Sequence, residues 1–115
     1  MSGAPSLAEL IAEAANLMQE RSGGQAVCTF TKAGQAVPGL KYAEGRWAAL
    51  REVQHNTRSG AELAEVVATA AAAWGTHLDR LQARSAGADW IAYRSGGTDA
   101  LTELSETLRH EGGAA

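Results

Sequence analysis

Apolar residues recur in the first segment of the chain at the three- and four-residue spacing that places them on one face of an α-helix. The residues on this face are Leu7, Leu10, Ile11, Ala14, Leu17 and Met18. Ser6 and Glu9 stand three residues apart at its start, which is the spacing of a capping box. The pattern predicts a helix from about Pro5 or Ser6 to Arg21.

A hairpin is predicted next. Residues 26–31 read Ala-Val-Cys-Thr-Phe-Thr, and their β-branched and aromatic side chains favour a strand. Residues 32–35 include Gly34 and suit a turn, and a return strand begins near residues 35–37. Pro38 has no N–H to donate to a ladder, so we expect it at a sheet edge or at the end of the pairing. Because a two-stranded ribbon is marginal in water, it should pack on a helix or pair with another chain.

Helical spacing returns in the middle of the chain. One helix is predicted over about residues 43–58, and a longer one over roughly residues 61–83. Trp47 and Trp74 fall on the apolar faces of these two helices, so we expect both to anchor the core.

The last third of the chain is less regular. Residues 89–94 fit either a short strand or one helical turn, because six residues are too few for periodicity to decide. Ser95-Gly96-Gly97 is predicted to be a flexible joint. Thr98 or Asp99 then caps a final helix that runs to about His110.

These elements combine into a mainly α fold in the order α-ββ-α-α-(short)-α, a helical domain with a small two-stranded antiparallel hairpin. We expect one domain over residues 1–115, with frayed tails at about residues 1–4 and 112–115. Apolar residues make up 45% of the chain, but 25 of them are Ala, so the core is thin and helices must meet closely at Ala. Such a chain is expected to complete its burial in a homodimer or larger assembly, or against a protein partner.

Composition also excludes several protein classes. A collagen, a disulfide scaffold, a coiled-coil rod and a membrane protein are all incompatible with it. Cys28 is the single cysteine and cannot form an intramolecular disulfide. There is no leader pattern and no apolar run of about 18 residues, so we expect a cytoplasmic protein that does not enter a membrane. Arg outnumbers Lys eight to two, a bias typical of GC-rich bacterial or phage genomes.

The net charge of −3 is unevenly distributed. Residues 32–58 carry +3, whereas the segments before and after them are acidic. The basic side chains of this middle part are candidates for contact with phosphates or with an acidic partner, namely Lys41, Arg46, Arg51 and Arg58. They can equally meet solvent or the acidic helices of the same chain, which is the usual fate of such a charge run. The sequence pI of about 5.5 argues against a dedicated nucleic-acid binder.

Motifs for chemistry are missing from the sequence. The three His residues and one Cys have no metal-ligand spacing, so we predict no metal, no cofactor and no catalytic residue. A reactive role for Cys28 or His55 stays open, because a strand cysteine and a helix histidine could approach each other in space.

The best candidate for a partner contact is the group Trp90, Tyr93 and Arg94, because Trp, Tyr and Arg dominate interface hot spots. The leading hypothesis is therefore a small non-catalytic interaction or assembly protein: an adaptor, a regulator, or a structural component of a phage or mobile element. The alternative is a nucleic-acid-associated regulator that uses the basic residues 32–58. A third hypothesis is an enzyme or small-ligand binder with a helix-lined pocket.

Overall fold

The computed structural model describes residues 6–21 and 38–113, which form four helices. The helices are α1 (Leu7–Arg21), α2 (Pro38–Thr57), α3 (Leu63–Ala83) and α4 (Ala88–Gly113). Helix α2 is central, since it packs against the other three and most extensively against α4, which also packs against α3. Within the described residues, no helix is both long enough and apolar enough to cross a membrane.

The predicted fold class is wrong in its strand component. Residues 6–21 and 38–113 contain no strand, so the described architecture is all-α. The predicted hairpin, at residues 26–37, lies outside the described residues. Pro38, which the sequence places at a sheet edge or at the end of the pairing, is the first residue of α2. Proline suits this position because its fixed φ is helical and the N–H that it lacks has no partner in a first turn.

The predicted break in the last third of the chain is also wrong. Residues 89–94, the expected joint at residues 95–97 and the expected last helix are parts of one continuous helix, α4. Gly96 and Gly97 are buried in the middle of it. Glycine weakens a helix by about 1 kcal/mol relative to Ala, but tertiary packing overrides this preference.

That packing is a backbone contact between α2 and α4. A Cβ added at Gly45 of α2 would collide with the carbonyl oxygen of Tyr93, and one added at Gly96 of α4 would collide with the carbonyl oxygen of Tyr42. The two helices can therefore approach this closely only because neither glycine carries a side chain.

The start of α1 follows the predicted capping box. The backbone N–H of Ser6 donates to Oε1 of Glu9 at 2.9 Å, and the N–H of Glu9 donates to Oγ of Ser6 at 3.1 Å. The hydrogen bond from the Ser6 backbone to the carboxylate lowers the pKa of Glu9, and the Ser6 side chain lowers it further. The predicted helix start is thus confirmed. It could be predicted because a capping box depends only on residues within one turn of the chain.

Small side chains line the contacts between helices. The largest fully buried residues are Leu40, Val53, Val67 and Leu101. Five further core residues are alanines: Ala14, Ala43, Ala49, Ala70 and Ala100. The thin core that the composition predicts is thus built from close helix contacts at Ala and Gly.

Candidate functional site

Trp74 lies at the centre of an aromatic cluster between α3 and α4. Its side chain is buried, and its ring fills the space beside Gly97, where a Cβ would collide with it. The ring of Tyr93 lies 5.4 Å from that of Trp74, centroid to centroid, at a tilt of 35°. The indole N–H of Trp74 donates to Oε1 of Glu52 at 3.4 Å. Trp74 therefore anchors the core, as its position on the apolar face of its helix predicts.

Arg94 covers this cluster from the outside. Its guanidinium carbon lies 4.5 Å from the ring centroid of Trp74 and 5.6 Å from that of Tyr93. Both distances fall within the range of a cation–π interaction. The side chain of Arg94 is thus held in one place by two aromatic rings.

Trp90 lies one turn before Arg94 on the same face of α4, and it is 63% exposed. The predicted contact group of Trp90, Tyr93 and Arg94 is thus brought together, with different roles for its members. Tyr93 packs into the core, Arg94 covers it, and Trp90 projects into solvent.

The four basic residues of the predicted phosphate-binding face do not act as a single free surface. Lys41 pairs with Glu44 on the same helix, at 3.4 Å between Nζ and Oε1. Arg46 donates two hydrogen bonds to Glu103, at 2.7 Å and 3.2 Å. Arg51 lies over the ring of Trp47, 5.4 Å from its centroid.

The fourth basic residue, Arg58, is exposed in the turn that follows α2. Two of the four cations, Lys41 and Arg46, thus meet acidic residues of the same chain. Only Arg46 meets an acidic residue of another helix, because Glu44 belongs to the same basic segment as Lys41.

Two polar contacts fasten α2 to α4 beside the glycine crossing. One is the Arg46–Glu103 pair, whose hydrogen bonds raise the pKa of Arg46. In the other, the hydroxyl of Tyr42 donates to Oδ2 of Asp99 at 2.5 Å. Burial, and then this hydrogen bond, raises the pKa of Tyr42 above its ordinary value. Both contacts help to set the position of α4, and with it the position of Trp90.

A groove of about 510 Å³ runs between α1, α2 and α4. Its floor is made of the buried residues Ala14, Leu50, Ala100 and Leu104. Its charged lining residues are Glu13 and Glu20 on α1, and the paired Glu103 on α4 and Arg46 on α2. The amphipathic pattern of α1 predicts its apolar face. The groove also depends on the position of α1 relative to α4, and the sequence pattern does not predict that position.

No cluster of three or more His, Cys, Asp or Glu side chains that could hold a metal ion occurs within residues 6–21 and 38–113. His55 is exposed near the end of α2. Cys28, the other residue for which the sequence leaves a reactive role open, lies outside the described residues.

Comparison with known proteins gives no relative: the chain matches no protein family, no curated protein and no solved structure. A function for this protein therefore has to be inferred from the chemistry of its own surfaces.

Proposed function

We propose that this protein is a small interaction or assembly protein that self-associates through the face of α4 carrying Trp90 and Arg94. The observation that supports this proposal is the 63% exposure of Trp90 next to an arginine that aromatic rings hold in place. A cytoplasmic location, predicted from the sequence, belongs to the same proposal.

Two properties of this face favour association, one at Trp90 and one at Arg94. Covering an exposed indole removes a large apolar surface from water, which is the main source of association free energy. Arg94 is already ordered against Trp74 and Tyr93, so binding costs little additional side-chain entropy there.

A second copy of the chain is the partner that fits this face. In a two-fold dimer the same patch meets itself, so each residue must find a complement in the same small set. Trp90 and Arg94 meet this condition, because the ring of one copy can stack on the guanidinium of the other. The face is thus self-complementary in chemistry.

The nucleic-acid alternative has weaker support. It needs the cations of residues 32–58 to be free for phosphates, yet Lys41 and Arg46 are paired with carboxylates. Among the described residues of this segment, Arg51 and Arg58 are exposed, and two cations make a small electrostatic footprint.

Light scattering at micromolar concentration tests the proposal. We expect a mass above that of the 11.9 kDa monomer, and a shift to the monomer in Trp90→Ala. His110→Ala, at an exposed position near the far end of the same helix, is the matched control and should keep the mass of the wild type. A monomeric wild type would overturn the proposal, and a mass that rises only when DNA is added would favour the alternative.

A further inference from the structure

We propose that the groove between α1, α2 and α4 binds a basic amphipathic helix from a partner protein. This inference concerns a different surface from the Trp90 face and does not depend on self-association. It rests on the length of the groove, its apolar floor and the charge of its edges.

The groove has the dimensions of a helix-binding site. The residues of α1 that line it run from Leu10 to Glu20, about 15 Å at 1.5 Å per residue, or roughly three turns. On the other side, α4 contributes residues from Ala100 to Thr107, about two turns. A groove between two helices with apolar residues at its base is the geometry that accepts the apolar face of a third helix.

The apolar surface that a partner can cover lies at the sides of the groove. The four floor residues are already buried, whereas Leu10 on α1 is partly exposed. Leu17 stands at the side of the groove and is only half-buried by the described residues. A partner's Leu or Ile could therefore enter between α1 and α4 and cover Leu17.

The edges of the groove select for a cationic partner. Glu13 and Glu20 are exposed on α1, seven residues and about two turns apart. Neither forms an ion pair with another described residue, whereas Glu103 is already neutralised by Arg46. Within the described residues, the groove thus presents two unpaired carboxylates at heptad spacing, and a helix with Lys or Arg seven residues apart matches them.

Nucleic acid is a poor occupant for this groove, because the two carboxylates would repel phosphates. The apolar residues of the groove are complementary to a ligand with an apolar face, and the two carboxylates are complementary to positive charge along the edge of that face. A basic amphipathic helix combines both features.

A designed peptide provides the probe. It is a labelled helix of roughly 18 residues, or about five turns, with Leu along one face and Lys beside it at seven-residue spacing. Its control carries Glu at every Lys position. We expect fluorescence anisotropy to show binding of the basic peptide, at least about tenfold tighter than binding of the acidic one, and weakening with added salt.

Charge reversal locates the binding site. Glu13→Lys combined with Glu20→Lys should weaken binding of the basic peptide by about tenfold and favour the acidic peptide. The control combines Asp79→Lys with Glu106→Lys, two exposed acids outside the groove lining, and changes the net charge by the same amount. It should retain most of the binding. Equal losses in the two double variants would show attraction by overall charge and would overturn the inference.

A third variant tests the apolar wall without changing charge. Leu17→Ala should weaken binding of the basic peptide by several-fold while circular dichroism shows an unchanged helix content. Unchanged affinity in this variant would also overturn the inference. Trp90→Ala should bind the peptide like the wild type, so loss of self-association and loss of peptide binding can be told apart.

Discussion

Gly45 of α2 and Gly96 of α4 each contact a backbone carbonyl of the opposite helix. Gly45 packs against the carbonyl of Tyr93, and Gly96 packs against the carbonyl of Tyr42. This reciprocal contact brings two helix backbones together with no side chain between them. It also lies within about two turns of Trp90, so the glycine crossing fixes the direction in which the exposed indole projects.

We expect an alanine at either glycine to destabilise the protein. A Cβ at Gly45 or Gly96 meets a carbonyl of the opposite helix, which cannot move aside without shifting the whole helix. Overpacking of this kind costs about 1–3 kcal/mol, so the free energy of unfolding in urea should fall by that amount in Gly45→Ala and Gly96→Ala.

Gly75→Ala is the matched control for these variants. Gly75 lies inside α3 with nothing within 4 Å of an added Cβ. Because Ala is the better helix former, this substitution should raise the free energy of unfolding by about 0.5–1 kcal/mol. If all three variants were stabilised alike, the close crossing of α2 and α4 would be refuted.

A second prediction concerns the end of α3. Ser85 has a φ of 53°, in the left-handed region that disfavours residues with a Cβ. The N–H of Ala86 donates to the carbonyl of Leu81 at 2.9 Å, and that of Ser85 donates to Gln82 at 3.2 Å. These two bonds form a Schellman motif, in which glycine is the preferred residue at the position of Ser85.

Ser85→Gly should therefore stabilise the protein by up to about 1 kcal/mol, measured as a rise in the free energy of unfolding. The control is Ser105→Gly, at a position inside α4, where glycine should destabilise by a similar amount. A loss of stability in Ser85→Gly comparable to that in Ser105→Gly would contradict the prediction.

Local signals explain which parts of the fold could be predicted from the sequence. The start of α1 could be predicted, because Ser6 and Glu9 form hydrogen bonds with each other within one turn. The role of the glycine pair at residues 96–97 could not be predicted, because this dipeptide is typical both of a flexible joint and of a close helix crossing. Tyr42 and Trp74 decide between these two outcomes, and both are distant in the chain.

The same limit applies to the surfaces. The residue types of Trp90 and Arg94 indicate a contact group, but only the helical geometry of α4 places both on one face beside Trp74. Arg46 was a candidate for phosphate binding, and its partner Glu103 is 57 residues away. A charge pattern along the chain does not reveal such a pairing, because it depends on which helices pack together.

The Arg46–Glu103 pair leads to a third prediction. The side chain of Glu103 is 61% exposed, so solvent screens the pair and its coupling energy should be about 0.5–1 kcal/mol despite the two hydrogen bonds. A double-mutant cycle with Arg46→Ala and Glu103→Ala measures this coupling, which should decrease in 1 M salt, where the Debye length is about 3 Å.

Two further variants define the geometry of this pair. Arg46→Lys keeps the charge but cannot form the bidentate hydrogen bond to Glu103, so it should retain only part of the coupling. A cycle between Arg46 and Glu106, an exposed acid one turn further along α4, should give no coupling. Equal coupling of Arg46 to Glu103 and to Glu106 would show that only long-range charge is involved.

The fourth prediction is a loss of stability at alkaline pH that depends on Tyr42. Its hydroxyl donates to Asp99, and burial together with this bond raises the pKa of the phenol above the ordinary value of 10.0. A raised pKa in the folded state means that the contribution to stability is fully present below about pH 10 and is lost as the pH rises through the folded pKa. Ionisation removes the donated proton and sets a phenolate against the carboxylate of Asp99.

Urea unfolding of the wild type and Tyr42→Phe, from about pH 8 to about pH 11.5, measures this effect. At the lower pH the wild type should be more stable by about 1 kcal/mol, a value typical of one net hydrogen bond. The difference should shrink as Tyr42 ionises and should shrink less in an Asp99→Asn background, where no carboxylate faces the phenolate. A wild type and a Tyr42→Phe variant that lose stability in parallel across this range would show that the Tyr42–Asp99 bond does not contribute to folding.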